Sequence, residues 1–185
     1  MTRASAADST VDISRIAGNA SDDIKRFLGI ILTSPRKERS PAFAESIQRR
    51  LKVTEVSINK KAEEERKTEA RVVLELEVSE DMLNGGGNIH GGCSAFLVDT
   101  CSTLALIALG MANTGEFSPS VSQSLNIVYH SPAQLGDKLR LVNTTLTLGA
   151  RAHSARTEIW TITHHRLVVS GTHVKMAPST PKSNL

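Results

Sequence analysis

The chain contains few aromatic residues, with four Phe, one Tyr and one Trp making up 3% of its 185 positions. Modules that bind single-stranded nucleic acid stack bases on aromatic side chains, so this composition argues against that class of function. The formal net charge is only +3, and the basic residues are scattered along the sequence. A weak positive charge suits small anionic ligands at least as well as nucleic acid, and we predict no nucleic-acid partner.

Cysteine is also scarce, since only Cys93 and Cys101 occur. Eight residues along one predicted helix separate their α-carbons by about 12 Å, which is too far for a disulfide. The longest apolar run, Ala95 to Leu109, is interrupted by polar residues and is too short to span a bilayer. Free thiols and an N-terminus without an apolar signal core favour an intracellular protein. We expect the cytoplasm first, with the mitochondrion and the peroxisome left open.

The composition divides the chain into four segments. We predict a disordered tail over residues 1–20, an N-terminal helical segment over 21–50, one domain over 51–176 and a polar tail over 177–185. The length suits a single domain with its own core.

Within the domain, period-two alternation predicts two strands, then a helix from about Cys93 to Leu109, then four further strands. The helix is hydrophobic nearly all round, which is typical of a helix enclosed by other elements. The simplest arrangement is an α+β fold in which a curved antiparallel sheet of about six strands wraps around one long central helix. A parallel doubly wound sheet is disfavoured because it needs a crossover helix between most strands.

Asp99 is the most unusual residue because it interrupts the apolar stretch AFLVDTCSTLALIAL. A carboxylate in such a place must be paired, hydrogen-bonded or protonated. It could act as a base in a reaction. It could equally be structural, bonded to the hydroxyls of Ser102 or Thr103 or placed at a subunit contact.

A glycine-rich loop, GGGNIHGG, leads into the same helix and lacks the spacing of nucleotide-binding loops. Its glycines could serve only flexibility and close packing. They could also leave backbone N–H groups at the helix N-terminus open to an oxygen that becomes negative during a reaction. The histidines and cysteines lack metal-ligand spacing, so we predict neither a metal nor a cofactor.

The spacing between Gly91 and Asp99 adds a geometric expectation. Eight residues on one helix correspond to about 12 Å. A carbonyl under attack cannot touch both residues, because catalytic contacts span about 3 Å. If both act in one reaction, they come from different copies of the chain, and the site lies at a dimer interface.

The segment NGGGNIHGGCSAFLVDTCSTLAL resembles the Asn…His-Gly-Gly…Asp pattern of the hotdog-fold acyl-CoA thioesterases. The resembling branch includes acyl-coenzyme A thioesterase 13 and the phenylacetic-acid-pathway thioesterases. A second block, SVSQSLNIVYHSPAQLGD, is similar to the strand and turn that follow the family's central helix. The resemblance implies a hotdog fold, hydrolysis of acyl-CoA to a free acid and CoA, and a place in fatty-acid and lipid metabolism. It also implies homodimers that pair into a homotetramer.

The resemblance also implies roles for individual residues. Gly91 would present its N–H to the thioester carbonyl, and Asn84 would polarise the same group. Asp99 of the partner subunit would act as general base or nucleophile, and Ser122 would hold the attacking water. His90 would shape the site and assist the departing thiolate, or would only anchor the loop by a hydrogen bond.

Substrate binding outside this core is expected from Gly92 and from basic groups that would contact the CoA phosphates, namely Arg151, Arg156 and Lys175. Each basic group could instead belong to an ordinary solvated surface. Two alternatives to hydrolysis stay open. A hotdog dehydratase or hydratase uses a His with an acid and a proline-containing motif that is absent before Cys93. A non-catalytic acyl-CoA-binding protein would have no need for Asp99 or Asn84.

Overall fold

The structure is a computed structural model that describes residues 11–33 and 43–177. The predicted tail over 177–185 therefore lies outside the described residues except for its first position. The helices are α1 (Asp22–Thr33), α2 (Glu45–Gln48) and α3 (Gly91–Thr114), with short 3-10 turns at Ile13–Arg15 and Glu80–Met82. The strands are β1 (Lys52–Lys60), β2 (Thr68–Glu77), β3 (Val121–Tyr129), β4 (Lys138–Leu148), β5 (Ala152–Thr161) and β6 (Arg166–Met176).

These six strands form one antiparallel sheet in the order β1-β2-β4-β5-β6-β3. Helix α3 packs across one face of the sheet, against β2, β4, β5 and β6. The chain leaves β2, passes through α3 and returns at the far edge as β3. The predicted α+β class, the six antiparallel strands and the single long helix are confirmed.

Helix α3 is longer at both ends than the predicted Cys93 to Leu109. It ends at Gly115, whose φ of 77° is a left-handed conformation that glycine adopts without strain. Gly171 on β6 allows the helix to pack closely, since a Cβ there would lie 2.9 Å from a methyl carbon of Val98. In the described part of the chain, α3 alone is long and apolar enough to cross a membrane, with a mean hydropathy of 1.8. Half of that stretch is buried inside the protein, as in the core helix of a globular domain.

The sheet covers only one side of α3. Residues such as Leu97, Cys101 and Ala108 are completely buried, whereas Phe96 and Asp99 on another side are only partly covered. The predicted sheet around a central helix is thus present, and within one chain the side of α3 that carries Phe96 and Asp99 is left partly open.

Residues 11–20 are ordered, and the predicted disordered tail is wrong over this stretch; residues 1–10 lie outside the described part. Ala17 donates its N–H to the Thr54 carbonyl at 2.9 Å and accepts from the Val56 N–H at 2.9 Å. The segment thus covers the outer edge of β1, where an uncovered strand would expose backbone groups. Its small polar residues concealed this role, because backbone pairing leaves little mark on composition.

Candidate active site

Asp99 lies on the part of α3 that faces the edge of the sheet formed by β3 and β6. Its side chain is 46% exposed, so the predicted burial of this carboxylate is wrong for the single chain. Ser102 and Thr103 donate their hydroxyls to the Asp99 backbone carbonyl at 3.2 and 2.8 Å, and not to the carboxylate as one reading of the sequence allowed. The carboxylate is left open to a cavity and to the side chains of the sheet.

Two side chains of the sheet reach Asp99 Oδ1. The Ser122 hydroxyl donates to it at 3.0 Å, and Nε2 of His173 lies 3.2 Å away without an aligned hydrogen bond. His173 is completely buried, and its Nδ1 is 2.7 Å from Ser102 Oγ. Burial lowers the pKa of His173 below its ordinary value, an effect that the negative charge of Asp99 opposes. His173 is therefore a neutral imidazole at pH 7.

A β-bulge brings Ser122 into this group. The register of β3 against β6 shifts between Ser122 and Ser124, so that Ser122 pairs with Lys175 and Leu125 pairs with His173. Paired residues of neighbouring strands project to the same face. Strict alternation, as predicted, would have placed Ser122 and Leu125 on opposite faces, and the extra residue of the bulge removes that difference.

Lys175 is only 6% exposed, and its Nζ donates to Ser122 Oγ at 3.2 Å. The lysine therefore lies behind Ser122 and not at a surface where a CoA phosphate would approach. Burial lowers the pKa of Lys175, and the negative charge of Asp99 opposes that effect. On the other side of Lys175, His153 of β5 is its cross-strand neighbour; burial and the lysine charge lower the pKa of His153.

The other two predicted phosphate ligands are not near Asp99. Arg151 is exposed in the turn before β5, and Arg156 is exposed and donates to Glu158 at 2.6 Å. Neither lines the cavity in front of Asp99.

His90 caps α3. Its Nδ1 accepts the Gly92 N–H at 2.9 Å, which gives His90 the anchoring role that the sequence left open and occupies one donor of the helix N-terminus. Tyr129 donates its hydroxyl to the Gly91 carbonyl at 3.1 Å. Within the described residues, no acceptor uses the Gly91 N–H. That group is an open donor at the positive end of the helix dipole.

Asn84 closes the glycine-rich loop. Its side-chain oxygen accepts the N–H groups of Gly86 and Asn88 at 2.9 and 3.2 Å. Asn84 is exposed and does not line the cavity of its own chain beside Asp99. Its side-chain NH2 group has no acceptor among the described residues and remains available to donate.

A cavity of about 470 Å³ opens in front of Asp99 and Ser122, within the size range of small-molecule sites. The rest of its wall is formed by one residue just before α2 and by residues of α3 and β3: Phe43, Gly92, Ala95, Phe96, Gln123, Ser124 and Leu125. The Phe43 ring is 82% exposed and meets Phe96 edge to face, with ring centroids 5.6 Å apart. The cavity thus joins a carboxylate and a hydroxyl to an apolar wall.

A larger cavity of about 670 Å³ lies toward the other end of α3, where Leu109 and Asn113 form part of its wall. It contains none of the predicted site residues. Leu109 is ten residues beyond Asp99, about 15 Å along the helix, so this cavity takes no part in the chemistry of Asp99.

Sequence reasoning missed His173 and Phe43 and gave Lys175 a different position. The alternation of β6 offers a sequence signal for His173 and Lys175. They share one face of the strand with Val169 and Gly171, and that face is buried. Polar residues on a core-facing register are candidates for a site. Phe43 had no comparable signal, because nothing in its local sequence relates it to α3.

The chain resembles known proteins over the same region. A sequence profile of the Thioesterase superfamily matches residues 86–168. Acyl-coenzyme A thioesterase 13 of Mus musculus is 33% identical over 105 residues, which are 57% of this chain and 71% of that protein. The crystal structure of zebrafish thioesterase superfamily member 2 matches the fold with a TM-score of 0.64 at 24% identity, over 82% of this chain and 94% of that one.

A second crystal structure, thioesterase superfamily member 2 from Mus musculus, gives a TM-score of 0.56 at 27% identity, over 71% of this chain and 85% of that one. The six-stranded sheet with its single long helix is the hotdog fold of these proteins. On sequence and fold together, the chain belongs to the thioesterase superfamily.

Proposed function

We propose that this thioesterase hydrolyses acyl-CoA thioesters to a free carboxylic acid and CoA. The observation that carries the proposal is the Asp99 carboxylate, hydrogen-bonded by Ser122 at 3.0 Å and facing an apolar cavity. A base held beside a space for an apolar acyl group is what thioester hydrolysis requires. The name of the 33% identical relative, acyl-coenzyme A thioesterase 13, supports the choice of CoA as the thiol.

In the proposed reaction, Asp99 takes a proton from a water molecule as the water oxygen attacks the thioester carbonyl carbon. Ser122 orients both the carboxylate and the water. The tetrahedral oxyanion then collapses, the carbon–sulfur bond breaks, and the CoA thiolate leaves and recovers the proton. Asp99 could instead attack the carbonyl carbon directly and displace the CoA thiolate, which gives an anhydride. If water then attacks the anhydride at the aspartyl carbon, hydrolysis in ¹⁸O-water under single-turnover conditions places ¹⁸O in the Asp99 carboxylate, which the general-base route cannot do.

The oxyanion needs hydrogen-bond donors that are already in place. The Gly91 N–H is open at the helix N-terminus, whereas the Gly92 N–H is occupied by His90. We assign Gly91 as the main donor and the free NH2 group of Asn84 as the second. Loss of one such donor costs roughly 3 kcal/mol in the transition state of other enzymes.

The proposed site is shared between two copies of the chain. Gly91 and Asp99 lie on one helix eight residues apart, about 12 Å, so they cannot contact one carbonyl from the same chain. A second copy would place its Asp99 opposite Gly91 of the first. The partly covered side of α3 and the outer edge of β3, which no described segment pairs with, are surfaces suited to this contact. The homotetramer that the family resemblance implies stays a prediction.

Release of CoA thiol from a panel of acyl-CoAs tests the function directly. We expect the wild-type protein to hydrolyse at least one of acetyl-, octanoyl-, palmitoyl- and phenylacetyl-CoA. The Asp99→Asn variant removes the base and should lower kcat by about 10²- to 10⁴-fold. Glu65→Gln is the control, since it changes an exposed carboxylate in the β1–β2 turn.

Two results would redirect the assignment. Tight acyl-CoA binding without turnover, unchanged in Asp99→Asn, would identify a binding protein. Hydration of an enoyl-CoA with no thiol release would identify a hydratase.

A further inference from the structure

Lys175 is an unusual lysine because its ammonium group is buried in the sheet beside the candidate site. It is 6% exposed, and lysine is almost never buried to this degree unless it is paired. Among the described residues, no carboxylate lies within ion-pair distance of its Nζ, and its hydrogen-bond acceptor is Ser122 Oγ at 3.2 Å. The burial of this charge is therefore not explained by an ordinary salt bridge.

The hydrogen bonds around Ser122 fix the direction of its hydroxyl proton. An ammonium can only donate, so Ser122 Oγ must accept from Lys175. The Ser122 proton is then free to point to Asp99 Oδ1, 3.0 Å away. Lys175 thus donates to Ser122, and Ser122 donates to Asp99. This order of donors requires Asp99 to accept a hydrogen bond, as an ionised carboxylate does.

We propose that Lys175 is a positioning residue for the hydrolysis: its ammonium holds the Ser122 hydroxyl toward Asp99 and favours the ionised form of that carboxylate. This inference rests on the proposed function. It assigns Lys175 to the reacting end of the substrate and not to the CoA phosphates.

The other titratable groups around Asp99 cannot supply the same charge. Burial lowers the pKa values of His173 on β6 and His153 on β5, so both are neutral at pH 7. Burial raises the pKa of the Cys101 thiol on α3 far above its ordinary value, so it is neutral as well. Lys175 is the group left to carry a positive charge in this cluster.

The test replaces Lys175 by Met, which keeps the length and removes the charge, and by Arg, which keeps the charge. We expect Lys175→Met to lower kcat by about 10- to 100-fold, the range for loss of one hydrogen bond to a charged group, with little change in KM. The acidic limb of its rate profile should move to higher pH, because Asp99 becomes easier to protonate. Lys175→Arg should keep the wild-type limb and recover part of kcat. Lys52→Met, an exposed lysine at the start of β1, is the control.

Several outcomes separate the inference from the function. Suppose that the wild-type protein hydrolyses acyl-CoA and that Asp99→Asn is inactive. If Lys175→Met then retains the wild-type kcat and the wild-type acidic limb, the inference is wrong and the proposed function stands. Lys175→Met could instead raise KM for acyl-CoA without lowering kcat, and show a smaller rise in KM for an acyl thioester that lacks the CoA nucleotide. That result would identify Lys175 as a phosphate ligand and overturn the inference. If Lys175→Met does not fold, Lys175→Gln and Lys175→Arg decide: a shifted acidic limb in Gln but not in Arg supports the inference, and identical limbs contradict it.

Discussion

At the scale of single residues, His173 is a titratable group that is buried without charge beside Asp99. It is completely buried behind Asp99, and burial lowers its pKa below the value near 6.5 that it has in an unfolded chain. As the pH falls below 6.5, the unfolded chain binds a proton that the folded chain does not bind. Stability from this residue is therefore present above pH 6.5 and is lost as the pH falls toward the lowered pKa.

We predict that the free energy of unfolding decreases between pH 7 and pH 5. The contribution of His173 is up to about 1.4 kcal/mol for each pH unit over which this residue is protonated in the unfolded chain and still neutral in the folded chain. In His173→Asn this decrease should be smaller. Urea unfolding at pH 5, 6, 7 and 8 and at fixed protein concentration measures it. His165→Asn, in the exposed β5–β6 turn, should behave as the wild type; equal pH slopes in His173→Asn and the wild type would refute the role of His173.

The residues that could be predicted from sequence are those whose signal is local. Asp99 stands out because a carboxylate interrupts an apolar helix within one short window. Lys175 meets Ser122 of β3, some fifty residues earlier, through a bulge that no alternation pattern contains. His173 meets Asp99 and Ser102 of α3, about seventy residues earlier. Even for Asp99 the burial was overestimated, since hydrophobic neighbours in sequence do not reveal which side of the helix the sheet leaves open.

At the scale of secondary-structure elements, α2 is attached to the turn that precedes the glycine-rich loop. Asp81 accepts from the Arg50 guanidinium at 2.7 Å and from the Ser46 hydroxyl at 2.9 Å. The hydrogen bond from Arg50 lowers the pKa of Asp81 to about 2, so its carboxylate is ionised and able to accept both hydrogen bonds at neutral pH. Phe43, two residues before α2, lies beside Phe96 and the cavity, next to this attachment.

We predict that Phe43 forms a wall for the acyl group. Phe43→Ala should lower kcat/KM for octanoyl- and palmitoyl-CoA by about 10- to 100-fold, as expected when one aromatic contact of about 1.5–3 kcal/mol is lost, and should leave acetyl-CoA nearly unchanged. Phe117→Ala is the control, because that exposed ring contacts Phe27 on α1 and does not line the cavity. An equal loss for short and long chains would show that Phe43 supports the fold and not the substrate.

The elements and their general packing, one antiparallel sheet around one helix, were predictable, whereas the order of the strands within the sheet was not. Alternation located all six strands, and the apolar stretch located α3, because both patterns repeat within a few residues. The placement of β3 beside β6, at the far edge from β1, depends on contacts between distant segments. The covering of β1 by Ala17 depends on backbone hydrogen bonds, which any side chain permits.

At the scale of the whole molecule, the two edges of the sheet differ. Ala17 and its neighbours cover β1, whereas no segment within residues 11–33 and 43–177 pairs with the outer side of β3, which exposes Val121, Leu125, Val128 and Tyr129. Exposed apolar residues on an unpaired edge strand favour association with another chain. A symmetric dimer would bring the same surface of each copy together and create two equal composite sites.

Mixed dimers test this central claim most directly. One chain carries Asp99→Ala and the other Gly91→Pro, which removes the N–H donor at the first position of α3, where proline is tolerated. The backbone of His90, with φ −66° and ψ 136°, suits a residue that precedes proline. Two different affinity tags isolate the heterodimer.

Each mutant homodimer should be nearly inactive because both of its sites lack one group. The heterodimer contains one site with an intact Gly91 and an intact Asp99, and we predict about half the wild-type rate of thiol release per dimer, as two equivalent sites require. A purified heterodimer with no more activity than either homodimer would contradict the shared site.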